Sequence, residues 1–264
     1  MLALAAPAAS AKTYRSQGGG VTAVLVTRGQ TDLGAPTSAR LTITRADSPN
    51  REWSYDDIAD CDSGTCLSPQ QFRGHPAVQV VDLDGGEPEI VLSLFSGGAH
   101  CCTIMRVLRY QGGSGEYTRT SRNFGNPSFT VRNVDHRGPA EIVSANDAYA
   151  YRFTAYAWSG LPITVDRFAA GRFRDVSRRF PRLLRADAAS QWRSFRASLR
   201  EEQPTRGFFA AWASDMCRAG RCRQALAELR RRVRNGDLGV GATREDGSTA
   251  RFAKKLTEIL AAGG

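Results

Sequence analysis

The sequence predicts a mainly β protein with a C-terminal α-helical region. Repeated four-stranded antiparallel β-meanders, propeller-like or forming an incomplete propeller, are expected to be capped by a helical bundle. Three observations carry this. Short apolar or alternating runs, separated by turns rich in Gly, Pro and Asp, fill residues 21–174. One turn-and-strand segment recurs 52 residues downstream. From about residue 188 the apolar period lengthens from two to 3.6.

The strands follow in order. Residues 21–27 (VTAVLVT) and 40–44 (RLTIT) run apolar or alternate, and the turn ADSPN leads to a strand at 52–55. A strand at 77–81 and the turn LDGGEP precede the apolar run 89–95 (EIVLSLF). Residues 103–110 (TIMRVLRY), the turn QGGSGE and residues 117–124 read as a hairpin. Further strands are expected at 128–134, 141–145, 151–158 and 162–168. The segment VVDLDGGEPEIVLS is echoed by RNVDHRGPAEIVSA, which matches Glu89-Ile90-Val91 to Glu141-Ile142-Val143. The same register sets Tyr110-Gln111-Gly112 against Trp158-Ser159-Gly160, and Arg122-Asn123-Phe124 against Asp166-Arg167-Phe168. A four-stranded unit of this length is the mark of a propeller blade or a repeated meander. Counting residues 21–58 as a divergent unit gives three, fewer than the four blades of the smallest common propellers.

Four helices are expected beyond residue 188. Trp192, Phe195 and Leu199 share one face, Phe208, Phe209, Trp212 and Met216 mark a second helix, and Leu226, Leu229 and Val233 a third. Phe252, Leu256, Ile259 and Leu260 mark the fourth, with Ser248 or Thr249 as its N-cap. The domains read as a leader at 1–11, a β-repeat domain at 12–176 and a helical domain at 177–264.

Export is read from two features. Residues 1–11 (MLALAAPAASA) end in Ala9-Ser10-Ala11, the small-x-small pattern of a signal-peptidase site; the basic n-region is missing, so the leader reads as truncated. The six cysteines form an even set, and CDSGTC (Cys61, Cys66) and CRAGRC (Cys217, Cys222) share a spacing that closes a short loop. Disulfides 61–66 and 217–222 are therefore expected, in an extracellular or cell-envelope setting. No stretch approaches the roughly 20 apolar residues of a transmembrane helix.

The net charge of +10 is unevenly spread. Residues 1–105 carry seven Lys/Arg against eleven Asp/Glu, and residues 106–264 carry 29 against 15. Apart from Lys12, Lys254 and Lys255 every basic residue is arginine, as in a high-GC bacterial genome. The basic half suits an anionic partner such as a wall polymer or lipid surface. Nucleic acid is disfavoured, since no recognition motif accompanies the charge.

The stretch VVDLDGGEPEIVL resembles the FG-GAP/VCBS type of extracellular β-propeller repeat, whose usual form is D-x-[DN]-G-D-G-x-x-[DE] before an apolar strand. The resemblance covers roughly residues 77–175. It implies adhesion or ligand binding, and Ca2+ in the acidic loop between the first two strands of a blade. Asp82 and Asp84 fill the first two acidic positions, and Glu87 and Glu89 follow. A Gly-containing turn lets such oxygens converge on a cation that wants six to eight of them. The loop here is one residue shorter than the family's and lacks its third Asp. The second copy keeps only Asp135 and Glu141, with His136 and Arg137 in the way, so Ca2+ is not expected there; the first turn is either a Ca2+ site or a polar β-turn that kept its shape and lost its metal.

The most unusual segment is Ser96-Gly97-Gly98-Ala99-His100-Cys101-Cys102. Cys101 and Cys102 can pair with each other, across Cα atoms closer than disulfides prefer. They can cross-link to Cys61 and Cys66 from opposite faces of a strand, or join His100 on a soft metal. Structural disulfides are favoured. No G-x-S-x-G elbow, H-E-x-x-H helix or phosphate loop is present, so a catalytic role is not expected. The sequence thus points to an exported binding protein for an extracellular carbohydrate, wall polymer or protein. Tyr149, Tyr151, Tyr156 and Trp158 are the candidate contact aromatics. The alternative is a thiol- or metal-dependent protein centred on His100, Cys101 and Cys102.

Overall fold

The computed structural model describes residues 11–29, 35–56, 58, 67–69, 76–97, 101–243 and 247–263. Three antiparallel sheets of four to five strands precede four helices, and no closed propeller is formed among the described residues. The leader, Cys61, Cys66 and His100 lie outside the described residues.

The first sheet is a meander of β1 (Lys12–Gly18), β2 (Val21–Arg28), β3 (Ser38–Arg45) and β4 (Ser48–Tyr55). β2 alternates between buried and half-buried positions, as its apolar run requires. β1 buries no residue fully; it is an edge strand held by its ladder to β2, and its one core-facing aromatic, Tyr14, gives no alternating apolar signal to read.

The second sheet joins β5 (Ser68–Pro69) and β6 (Val78–Val81), both on β7 (Glu89–Phe95), then β8 (Thr103–Gln111) and β9 (Glu116–Gly125). β7 is central and buried on both faces, which explains why its sequence runs apolar without alternating. Ile90, Leu92 and Leu94 pack with Leu25, Leu41 and Ile43 of the first sheet. Val91, Met105 and Val107 pack on the opposite side with Phe124, Phe129, Ile142 and Phe168. Full burial of each such aliphatic side chain contributes roughly 1.5–3 kcal/mol.

The third sheet runs β10 (Thr130–Arg132), β11 (Glu141–Ala145), β12 (Ile163–Ala169) and β13 (Arg172–Asp175). The strand expected at 151–158 is absent. Two 3-10 turns, Asp147–Tyr149 and Tyr156–Trp158, take its place. Asn146 caps the first by accepting the Ala148 N–H at 3.0 Å, and Tyr151 has a left-handed φ of 57°, which ends any extended run. Tyr149 and Phe153, four residues apart, instead bury among the helices.

The helices are α1 (Pro181–Arg200), α2 (Arg206–Arg218), α3 (Cys222–Arg234) and α4 (Thr249–Ala261). Pro181 opens α1, where its missing N–H costs nothing. Ser248 caps α4 by accepting the Arg251 N–H. Their apolar faces meet around Phe195, Phe209, Leu229, Phe252 and Leu256. Cys217 and Cys222 form a disulfide across the turn between α2 and α3. None of the described helices is long and apolar enough to cross a membrane.

One polar group stands out in this core. Asp215 of α2 is fully buried, and burial together with the neighbouring Asp187 carboxyl pushes its pKa up to about 10, against the pull of Arg218. Neither Asp215 oxygen has a hydrogen-bond partner among the described residues, while Asp187 accepts from Gln191 Nε2 at 3.2 Å.

Two compact units result. One holds the described residues up to Ile142 with Arg167–Arg174; the other holds Val143–Asp166 with the described residues from Asp175 onward. The division runs through β11 and β12 because the stretch between them contributes Tyr149 and Phe153 to the helical core.

Candidate functional site

The acidic turn between β6 and β7 is built from its own backbone. Asp82 Oδ1 accepts the Gly85 N–H at 2.6 Å, and Asp84 Oδ1 accepts the Gly86 N–H at 3.2 Å. Gly85 has φ 87°, a left-handed conformation that glycine adopts without steric cost. Glu89, the first residue of β7, reaches back into the turn and accepts the Leu83 N–H on Oε2 at 2.9 Å. One carboxylate oxygen each of Asp82, Asp84 and Glu89 lies within 4.8 Å of the others.

Charge in this turn is only partly balanced. Arg109 of β8 donates from Nε to Asp84 Oδ2 at 2.6 Å but stays 3.8 Å from Glu89 Oε1. The Glu89 side chain is 1% exposed, and its Oε1 has no hydrogen-bond partner among the described residues. Burial, and then the nearby Asp84 and Asp82, push the Glu89 carboxyl up to about 7, against the stabilising Leu83 N–H. Glu87 does not join the cluster; it ion-pairs with Arg45, which also donates to Asp47 at 2.8 Å.

The second copy of the turn has the same frame with different chemistry. Glu141 Oε2 accepts the Val134 N–H at 2.9 Å, just as Glu89 accepts that of Leu83. Asn133 Oδ1 accepts the Arg137 N–H at 2.9 Å, the role Asp82 has in the first copy. His136 takes the left-handed position, with φ 57°. Here the arginine of the following strand completes the pair: Arg167 of β12 donates to Glu141 Oε1 from both Nε (3.0 Å) and Nη2 (2.6 Å). It also reaches Asp135 at 3.3 Å. A guanidinium fork therefore sits within hydrogen-bond distance of Glu141, whereas the matching Arg109 stays 3.8 Å from Glu89.

This alignment corrects the downstream part of the sequence repeat. β8 corresponds to β12, so Arg109 matches Arg167, and Tyr110 does not match Trp158. The two arginines were missed because they lie 20 and 26 residues beyond their glutamates, and a fixed 52-residue offset cannot align hairpins of different length. The signal was an Arg-aromatic pair, Arg109-Tyr110 and Arg167-Phe168, in the strand after each Glu-Ile-Val.

Cys101 and Cys102 are joined to each other at the start of β8, both half-buried. Ser96 holds this corner from the end of β7. Its N–H donates to Cys102 O at 3.1 Å, and its Oγ accepts the Cys102 N–H at 2.5 Å. In this form neither sulfur is a thiolate that could ligate a metal.

The four candidate aromatics separate. Tyr149 is 3% exposed and belongs to the helical core. Tyr151 is 54% exposed, the one large hydrophobic side chain displayed to solvent among the described residues. It stacks on the half-buried Tyr156 with ring centroids 5.2 Å apart and planes 30° apart. Trp158 is half-buried.

Comparison with known proteins finds two curated relatives. The chain is 29% identical over 140 residues to "Uncharacterized protein y4bJ" of Sinorhizobium fredii, a match over 51% of this chain and 22% of that protein. It is 26% identical over 148 residues to "Probable thylakoid lumen protein sll0997" of Synechocystis sp., over 54% of this chain and 44% of that protein. The chain thus spans less than half the length of either relative. No family model and no solved structure matches it.

Proposed function

We propose that this chain is an exported, non-catalytic binding protein that holds Ca2+ in its first repeat turn. The observation behind this reading is the buried Glu89 Oε1, which has Arg109 only at 3.8 Å and no hydrogen-bond partner among the described residues, beside Asp82 and Asp84, whereas its counterpart Glu141 Oε1 accepts twice from Arg167. The donor set fits a hard cation, since all three side chains are carboxylates and they already converge. Asp82, Asp84 and Glu89 would hold the ion, which when bound would supply the charge that pins the turn. In this reading the turn is a shortened FG-GAP/VCBS-type loop and the sheets are remnants of a propeller.

Several observations support export. Cys217–Cys222 and Cys101–Cys102 are bonded, residues 1–11 carry a signal-peptidase pattern, and one relative is named "Probable thylakoid lumen protein". The stacked Tyr151–Tyr156 pair is the surface offered to a carbohydrate, wall polymer or protein ligand, because an exposed aromatic face supplies contact area at little entropic cost.

Thermal melting of chelator-treated protein, with and without added CaCl2, tests the cation reading. Binding to the native state alone raises the melting temperature in proportion to the logarithm of free Ca2+. The rise is expected in the wild type and not in Glu89→Gln; an unmoved wild-type melt overturns the reading. A second reading places redox chemistry at Cys101 and Cys102, favoured by their half-buried disulfide at a strand corner. Thiol trapping after mild reduction tests it: selective, reversible opening of this bond with Cys217–Cys222 intact is the expected result, and simultaneous loss of both removes the case.

A further inference from the structure

α1 carries a charge pattern that the cation site does not explain. Arg182, Arg185, Arg193, Arg196 and Arg200 are all exposed. At 100° per residue they fall within about 80° of one another around the helix, in a row about 27 Å long. No acidic side chain pairs with any of the five among the described residues. The one acid of α1, Asp187, is turned away from the row toward Asp215 and Gln191. Between the arginines the exposed positions are small: Ala186, Ala189 and Ser190. Uncompensated cations at this density repel one another across one helix, so the row costs the fold stability unless something anionic lies along it.

We propose that this face of α1 is a docking surface for a linear polyol-phosphate chain of the cell envelope. The choice of an envelope polymer rests on the export reading alone and is independent of the first turn. Each guanidinium fork of the row can hold phosphodiester oxygens in a bidentate way, and none of the five is engaged by an acid among the described residues. The row follows one face of a single helix along its length, which suits a single extended chain with repeated charges. An anionic membrane is disfavoured because interfacial helices insert bulky apolar side chains, and the exposed face of α1 has none. Single-stranded nucleic acid is disfavoured because the row lacks the aromatic platforms on which bases stack.

The test uses the full chain and synthetic poly(glycerol phosphate), with single-stranded DNA and anionic phospholipid vesicles run in parallel. Binding is expected to weaken steeply with salt, as contacts that release counterions do. The triple variant Arg193→Gln, Arg196→Gln, Arg200→Gln is expected to lose about tenfold or more in affinity. A matched triple on α3, Arg223→Gln, Arg230→Gln, Arg234→Gln, removes the same charge from another helix and should lose less than about threefold. Circular dichroism and melting of both triples should match the wild type, since all six side chains are exposed. Equal losses in both triples would show that net charge alone attracts the polymer and overturn the proposal. Tighter binding of DNA or vesicles than of poly(glycerol phosphate), lost in the α1 triple, would keep the surface but overturn the partner. Failure of the cation reading alone would leave all these outcomes unchanged.

Discussion

The two repeat turns share a backbone frame and differ in what neutralises their buried glutamate. In the second turn Arg167 donates twice to Glu141 and the pair is complete. In the first, Arg109 is drawn onto Asp84, and Glu89 keeps an oxygen with no hydrogen-bond partner among the described residues. Two sequence differences accompany this: the first turn is one residue shorter before its glutamate, and it carries one more carboxylate beside it. The first turn has carboxylates at both Asp82 and Asp84, whereas the second has Asn133 where the first has Asp82. In the proposed reading this additional carboxylate makes the first turn a seat for a mobile cation. Both copies keep the latch, glutamate to turn N–H, and on the proposed reading they differ in whether the neutralising cation is built in or external.

The largest expected effect breaks the completed pair. Arg167→Ala leaves Glu141 buried and charged without its partner, and should cost about 3 kcal/mol in urea unfolding. Next comes the same change in the two glutamates of chelator-treated protein. Glu141→Gln should lose about 2 kcal/mol, because a charged, doubly hydrogen-bonded acceptor is replaced by a neutral one. Glu89→Gln should lose under about 1 kcal/mol, because the charge it removes was poorly compensated. Equal losses would mean that the two latches are energetically alike and that the first turn has no seat. Arg109→Gln sharpens the contrast in another way: with its competing guanidinium gone, the first turn should bind Ca2+ several-fold more tightly, read by titration.

A buried carboxyl outside both turns supplies a control on the pH axis. Asp215 is held at about 10 in the folded chain, far above the ordinary aspartate value of 3.8. The native state therefore holds a proton that the unfolded chain has released above pH 4. Stability from this group is fully present below about pH 4 and declines as pH rises toward 10. Asp215→Asn should flatten that decline and stabilise the protein at pH 8, as measured by denaturant midpoints across the range. The smallest stability effect is expected from Tyr151→Ala. More than half exposed, it should shift unfolding by under about 0.5 kcal/mol while lowering affinity for any ligand that stacks on the pair.

Much of this fold could be read from the residues. β2 and β7 announce themselves as apolar runs, and the helical faces of Phe195, Phe209, Leu229 and Leu256 by their period. β1 could not be seen, because an edge strand with polar residues on both faces has no hydrophobic pattern to detect. Residues 151–158 misled for the opposite reason: alternating aromatics look like a strand, yet Tyr149 and Phe153 are core residues of turns at near-helical spacing. Of the site, Asp82, Asp84 and Glu89 were legible as a motif, whereas Glu87 is drawn away by Arg45. The arginines that decide the site come from a neighbouring strand, and pairing across strands is set by hairpin length, not by position along the motif.

Calorimetric titration of chelator-treated protein with CaCl2 tests the central claim most directly, with Glu89→Gln for the first turn and Asp135→Asn for the second. One ion per chain, lost in Glu89→Gln and kept in Asp135→Asn, is the predicted result. No binding by the wild type, or one ion still bound by Glu89→Gln, would contradict it.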